Sequence, residues 1–168
     1  LNALLGRKIA KVSATPGKTR MLNVFRVDPP TSPRPHAPAP PSFYILDLPG
    51  YGYARVSQAE RAGYRRLFAA ILQRPRLHGV LWLLDLRHEP SADDRDMQDV
   101  LAATGARVLA AFTKADKLPR GRRLERERTL RSALALDAEQ SILTSARSGE
   151  GIGELREAVD ELIGKATA

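Results

Sequence analysis

The 168-residue chain contains no cysteine. That excludes disulfide scaffolds, thiolate metal sites and cysteine nucleophiles together, and it fits a reducing compartment. No apolar run reaches the roughly 18–20 residues that a membrane span requires. The best stretch, around Val80–Leu86, is interrupted by Asp85. Aromatic side chains are scarce at 5%, so a core must rest mainly on aliphatic residues. Acidic residues are also in short supply, with 19 against 27 Lys+Arg and a formal charge of +8. An excess of that sign suggests a polyanionic partner, nucleic acid first. His36, His78 and His88 lack ligand spacing, which argues against a transition-metal site. Leu1 opens neither a basic-then-apolar leader nor a transit segment.

What is present is a regular alternation of strand-like and helix-like segments. Strands are expected over Met21–Val27, Ser42–Leu48, Gly79–Leu86, Ala106–Thr113 and Gln140–Thr144. The third and fourth are nearly continuous apolar runs, as in strands covered on both faces. Ser57 stands three residues before Glu60, and Ser91 three before Asp94, so each opens a helix with a capping box. Gly105 is the expected stop of the second of these helices. Leu118–Leu136 and Gly151–Ile163 supply two more. This order predicts one α/β domain over 1–168, a mostly parallel sheet flanked by helices. Asp28–Pro41 breaks the rhythm, with seven of the twelve prolines. It reads as an extended loop inserted between two strands.

Four motifs fall at strand ends or in loops, where open α/β sheets place ligands. Thr113-Lys114-Ala115-Asp116 is the most specific. Its carboxylate can accept from the ring N–H and the exocyclic amine of guanine, a pair of donors that adenine lacks. The Lys114 stem can lie over the base. A [TN]KxD string arises by chance in roughly one chain in twenty of this size. Asp47-Leu48-Pro49-Gly50 is weaker, since DxxG occurs in about half of such chains. Asp47 there can hold magnesium through water, and the Gly50 amide can approach a phosphate. Thr144-Ser145-Ala146 offers backbone amides for the guanine oxygen. Pro16-Gly17-Lys18-Thr19 offers the Thr19 hydroxyl to magnesium and its amide to a γ-phosphate. Taken singly, the last two are ordinary turns.

Order and spacing join them. The tracts SATPGKTR (13–20), DLPGYGYARVS (47–57), DLRH (85–88), TKADKL (113–118) and SARSGEGIGEL (145–155) resemble the EngB family of ribosome-biogenesis GTPases. The resemblance covers nearly the whole chain outside the proline-rich insertion. It implies a P-loop GTPase fold of the Ras-like type. It also implies a GTP/GDP site built from Gly17, Lys18, Thr19, Arg20, Met21, Asp47–Gly50, Thr113–Asp116 and Thr144–Ala146. Magnesium would be held by Thr19 and, through water, by Asp47. The implied role is a cytoplasmic, monomeric switch that assists large-ribosomal-subunit assembly, contacts its rRNA, and is linked to cell division and septation.

Two departures follow. The phosphate-cradling G-x-x-x-x-G-K-[ST] loop, which the family carries just before its LNALLGR-like helix, is not found. The chain is therefore expected to be an N-terminally truncated form, lacking the first strand as well, and to bind GTP poorly alone. Tyr51 stands where Ras-like enzymes carry the glutamine that orients water. No catalytic side chain is assigned, and the resemblance implies potassium-assisted hydrolysis. The alternative is a basic rRNA-binding scaffold without nucleotide chemistry.

The remaining basic and aromatic residues carry two readings each. Arg120, Arg122, Arg123, Arg126, Arg128 and Arg131 crowd one helix with Glu125 and Glu127 interleaved. A solvated, paired face and an rRNA contact both fit this pattern. Lys8, Lys11, Lys18 and Arg20 form a second basic set. Tyr51, Tyr53 and Tyr64 are expected to order a segment or pack on the sheet rather than stack on RNA. Trp82 is expected in the core.

Overall fold

A computed structural model describes residues 1–10, 21–28, 42–51 and 58–164, with the backbone alone for 58–61. Two compact units are present, Leu1–Ala10 with Arg66–Ala168, and Lys11–Arg65. The second holds β1 (Asn23–Val27) and β2 (Phe43–Asp47), an antiparallel pair with Val27 opposite Phe43. Of the paired strand residues Val27 is buried, whereas Val24 and Tyr44, and Met21 just before β1, are exposed. Asp28 accepts from Arg26 Nε at 2.9 Å beside the point where the chain leaves β1. The proline-rich segment beyond Asp28, the loop holding Gly17–Arg20, Tyr53 and the Ser57 box lie outside the described residues.

The larger unit is built on a parallel sheet of order β3-β4-β5. These strands are Val80–Asp85, Val108–Thr113 and Ser141–Leu143. Leu109, Ala110, Ala111 and Phe112 are all buried, which explains why β4 reads as an unbroken apolar run. Trp82 of β3 joins this core, as expected, together with Leu84, but Leu83 between them is exposed: β3 is the outer strand of the described sheet and is not covered on both faces as its apolar run suggests. Helix α3 (Ala92–Thr104) begins at the expected box. Ser91 Oγ accepts from the Asp94 amide at 3.1 Å, and Asp94 accepts from the Ser91 amide at 2.8 Å. It ends at Gly105, whose φ of 63° is the left-handed cap that glycine adopts without strain.

Helix α4 runs from Arg120 to Ala133, shorter than the sequence suggests. At its C-terminal end Leu134 and Ala135 leave the helical conformation, Ala135 with φ 46°, and at its start Pro119 sets the limit. It forces Leu118 into an extended conformation (φ −115°, ψ 142°), so helix cannot begin before it. Helix α5 (Ile152–Gly164) buries Ile152 and Leu155. α1 (Asn2–Leu5) is a single turn, too short to persist unaided. Arg156 of α5 satisfies its terminal carbonyls at Ala3 (2.8 Å) and Leu4, and Asn2 binds Ala10 through its side chain. Helix α2 (Gln58–Leu72) buries Ile71 and Leu72 at its C-terminal end. Among the described residues, no helix is long and apolar enough to cross a membrane.

Candidate functional site

In-register pairing aligns the carboxyl ends of the three parallel strands. Asp85 faces Thr113, and Phe112 faces Leu143. The ladder continues past the strand ends, with Thr144 N bonded to Phe112 O (2.8 Å) and Ala115 N to Thr144 O (3.0 Å). Immediately after β4 the chain turns sharply. Lys114 takes a left-handed conformation (φ 63°, ψ 33°), which costs a non-glycine residue about 1–2 kcal/mol. A 3-10 turn, Ala115–Lys117, follows and sets the Asp116 carboxylate opposite the loop after β5.

Ser145 sits in that loop with no exposed surface. Its hydroxyl donates to Asp116 Oδ1 at 2.7 Å and accepts the Ser148 amide at 3.1 Å. This bond holds the Asp116 carboxyl below the usual carboxylate range; partial burial opposes the shift, and Lys117 and Arg147 add to it. Asp116 is therefore an ionised, acceptor-only group. A carboxylate has about four lone-pair sites, and Ser145 uses one, so two converging N–H donors can still be accommodated.

The loop is tightly tied. Ser145 N donates to Glu150 O and Gly149 N to Ser145 O, both at 2.9 Å. Gly151 (φ 69°) passes so close to β5 that a Cβ would lie 1.9 Å from the Leu143 carbonyl oxygen. The Arg123 guanidinium reaches both oxygens of Glu150 at 2.7 Å and the Leu118 carbonyl at 2.9 Å, joining this loop to α4. Of the three amides expected to face a guanine oxygen, those of Thr144 and Ser145 are thus engaged internally. The Ala146 amide is engaged by none of the described residues.

Arg123 and Arg126, which the sequence grouped with a possible RNA face, belong partly to this architecture. Arg126 donates to the Leu86 carbonyl at 3.0 Å and pairs with Glu89. Arg131 lies near Glu127 at 3.9 Å, a long contact. Arg120, Arg122 and Arg128 are exposed.

The chain's similarities agree with this geometry. Residues 1–114 match the family model described as 50S ribosome-binding GTPase. A probable GTP-binding protein EngB from Syntrophomonas wolfei is 42% identical over 165 residues, covering 97% of this chain and 79% of its own. The chain belongs to the EngB family of GTP-binding GTPases. An EngB protein from Anaeromyxobacter is 45% identical over 157 residues, covering 92% of this chain and 71% of that protein. Two solved structures share the fold. Era, crystallised with MgGDPNP and a 16S ribosomal RNA fragment, superposes with a TM-score of 0.72 at 20% identity. That match covers 94% of this chain and 49% of Era. A probable EngB protein gives 0.70 at 17%, over 98% and 90%. The α/β P-loop GTPase fold expected from the EngB-like motifs is therefore the fold of this chain.

Thr113–Asp116 and Thr144–Ala146 meet within one unit. Asp47 is the half-buried last residue of β2, followed by buried Pro49 and exposed Gly50, in the other unit. Met21 precedes β1 and is exposed. Among the described residues, no group of three or more His, Asp or Glu gathers as a metal site. Asp85 and Glu150 lie in the DLRH and SARSGEGIGEL tracts, but their contacts with Lys114 and Arg123 are not foreseen from the sequence.

Proposed function

We propose that this protein is a cytoplasmic guanine-nucleotide switch that hydrolyses GTP and assists assembly of the large ribosomal subunit. One observation carries the nucleotide reading: an ionised Asp116, held by buried Ser145, stands in the turn just past the carboxyl end of a parallel strand. In this reading Asp116 accepts the two guanine donors, the Lys114 stem covers the base, and the Ala146 amide serves the guanine oxygen. Asp47 supplies a hard oxygen of the kind that magnesium takes through water, and Thr19 a hydroxyl. Magnesium, when bound, would offset phosphate charge as hydrolysis proceeds.

In protein expressed from the complete reading frame, GDP and GTP should displace a fluorescent guanine nucleotide. ADP and ATP should compete at least about 100-fold more weakly, because adenine leaves Asp116 unpaired. Comparable competition by ADP contradicts the reading.

The ribosomal part rests on family membership and on the exposed arginines of α4. Reversing Arg120, Arg122 and Arg128 to Glu should weaken co-sedimentation with large-subunit particles and reduce the salt slope of binding by up to about three. Guanine selectivity should be unchanged. Arg123→Glu and Arg126→Glu are expected instead to lower the melting temperature, since both side chains brace the fold. Undiminished particle binding by the triple reversal excludes α4 as the contact.

A further inference from the structure

Asp85, the last residue of β3, has both carboxylate oxygens engaged. Arg87 donates to Oδ1 from its amide (3.1 Å) and Nε (2.9 Å), and to Oδ2 from Nη2 (2.7 Å). The Lys114 ammonium donates to the same Oδ2 at 2.9 Å. Strand register creates this meeting. Asp85 lies opposite Thr113, so the residue that leaves β4 emerges beside the Asp85 side chain. Leu86 N bonds Thr113 O at 3.1 Å and Thr113 Oγ1 bonds Leu84 O at 3.0 Å, so the two strand ends are tied on either side.

As a surface ion pair this contact would have little value for stability, because the Lys114 side chain is 53% exposed. Its effect is geometric. A free lysine spreads over many rotamers, and ordering it on binding costs affinity. Arg87 fixes the carboxylate from two directions, and the carboxylate then fixes the far end of a side chain whose near end is set by the left-handed turn. Both ends of the Lys114 stem are thereby determined before any ligand arrives.

We propose that Asp85, clamped by Arg87, is a positioning residue that preorganises Lys114 as one wall of the guanine site. This rests on the guanine reading of Thr113–Asp116. Asp85 touches no nucleotide in this account and acts only through Lys114.

The test is a double-mutant cycle on GDP affinity, in protein expressed from the complete reading frame, with melting temperature followed in parallel. Lys114→Met keeps an unbranched stem and removes the ammonium. Asp85→Asn should weaken fluorescent-GDP binding roughly 5- to 10-fold in the otherwise native protein, and less than about 2-fold when Lys114→Met is already present. An equal loss in both backgrounds, or no loss in either, overturns the proposal. A merely structural role would give that equal loss. If Asp85→Asn does not fold, Arg87→Gln frees the carboxylate while retaining its charge, and the same dependence on Lys114 is expected. An Asp116→Asn variant measured alongside separates the two ideas. If it fails to trade guanine for xanthine, the guanine reading itself falls, and the proposal with it. If it trades them while the cycle is additive, only the role of Asp85 falls.

Discussion

Asp116→Asn is expected to change the base preference of this protein from guanine to xanthine. An ionised carboxylate presents acceptors only, which suits the N1–H and the 2-amine of guanine. Asparagine presents one acceptor and one donor. Its orientation is already dictated, because the Ser145 hydroxyl both accepts the Ser148 amide and donates to the 116 side chain. The asparagine oxygen must take that proton, which leaves its NH2 toward the position of the guanine 2-amine. Two donors then face each other, and guanine affinity should fall about 10²- to 10⁴-fold. Xanthine carries a carbonyl at that position and keeps N1–H, so it restores both bonds. Competition between xanthosine and guanosine diphosphates for one fluorescent nucleotide reads the reversal. Retained preference for GDP would show that Asp116 does not read the base. The melting temperature should change little, since the Ser145 bond survives.

A comparable loss, in stability rather than selectivity, is expected from Gly151→Ala. The position has φ 69°, and the added methyl would meet the Leu143 carbonyl oxygen at 1.9 Å, a backbone atom that cannot swing aside. Relief requires the loop to move away from β5. That movement pulls on Glu150, whose carbonyl holds the Ser145 amide and whose carboxylate holds Arg123. The cost should be about 2–4 kcal/mol in a denaturant melt. Gly153 provides the control two residues on. It lies inside α5, and a Cβ there meets nothing within 4 Å. Gly153→Ala should be neutral or stabilise by up to about 1 kcal/mol. Melts of the two variants that coincide would remove the close approach as the reason for glycine at 151.

Much of this arrangement is legible in the chain, for identifiable reasons. The two apolar runs become β3 and β4, but only β4, paired on both edges, is buried on both faces; β3 is the outer strand of the described sheet and leaves Leu83 exposed. The Ser91–Asp94 box and Gly105 mark α3 correctly because caps are local chemistry. Thr113–Asp116 is legible as a motif because its spacing places the carboxylate just past a strand end. The missed parts are long-range. That Asp85 holds Lys114 depends on register between strands twenty-eight residues apart in order of pairing (85 with 113), which no local pattern encodes. That the Thr144 amide is already engaged depends on its pairing with Phe112 of β4, and that the Ser145 amide is engaged depends on the loop return at Glu150. The arginines of α4 look alike in the sequence, yet Arg123 and Arg126 turn inward to carbonyls while Arg120, Arg122 and Arg128 face out. Helix phase alone would not separate them, because the carbonyls that attract the inward pair lie outside the helix.

The central place of β4 has a further consequence. It is paired on both edges, and Ala110, Ala111 and Phe112 have no exposed surface. Amides in such a strand exchange with solvent only through openings close in free energy to global unfolding, whereas helix ends and loops exchange through local fraying. The Thr113–Asp116 turn is anchored directly to that most protected strand. Thermal breathing at the periphery therefore leaves the footing of the base-reading carboxylate closed until the unit itself comes apart.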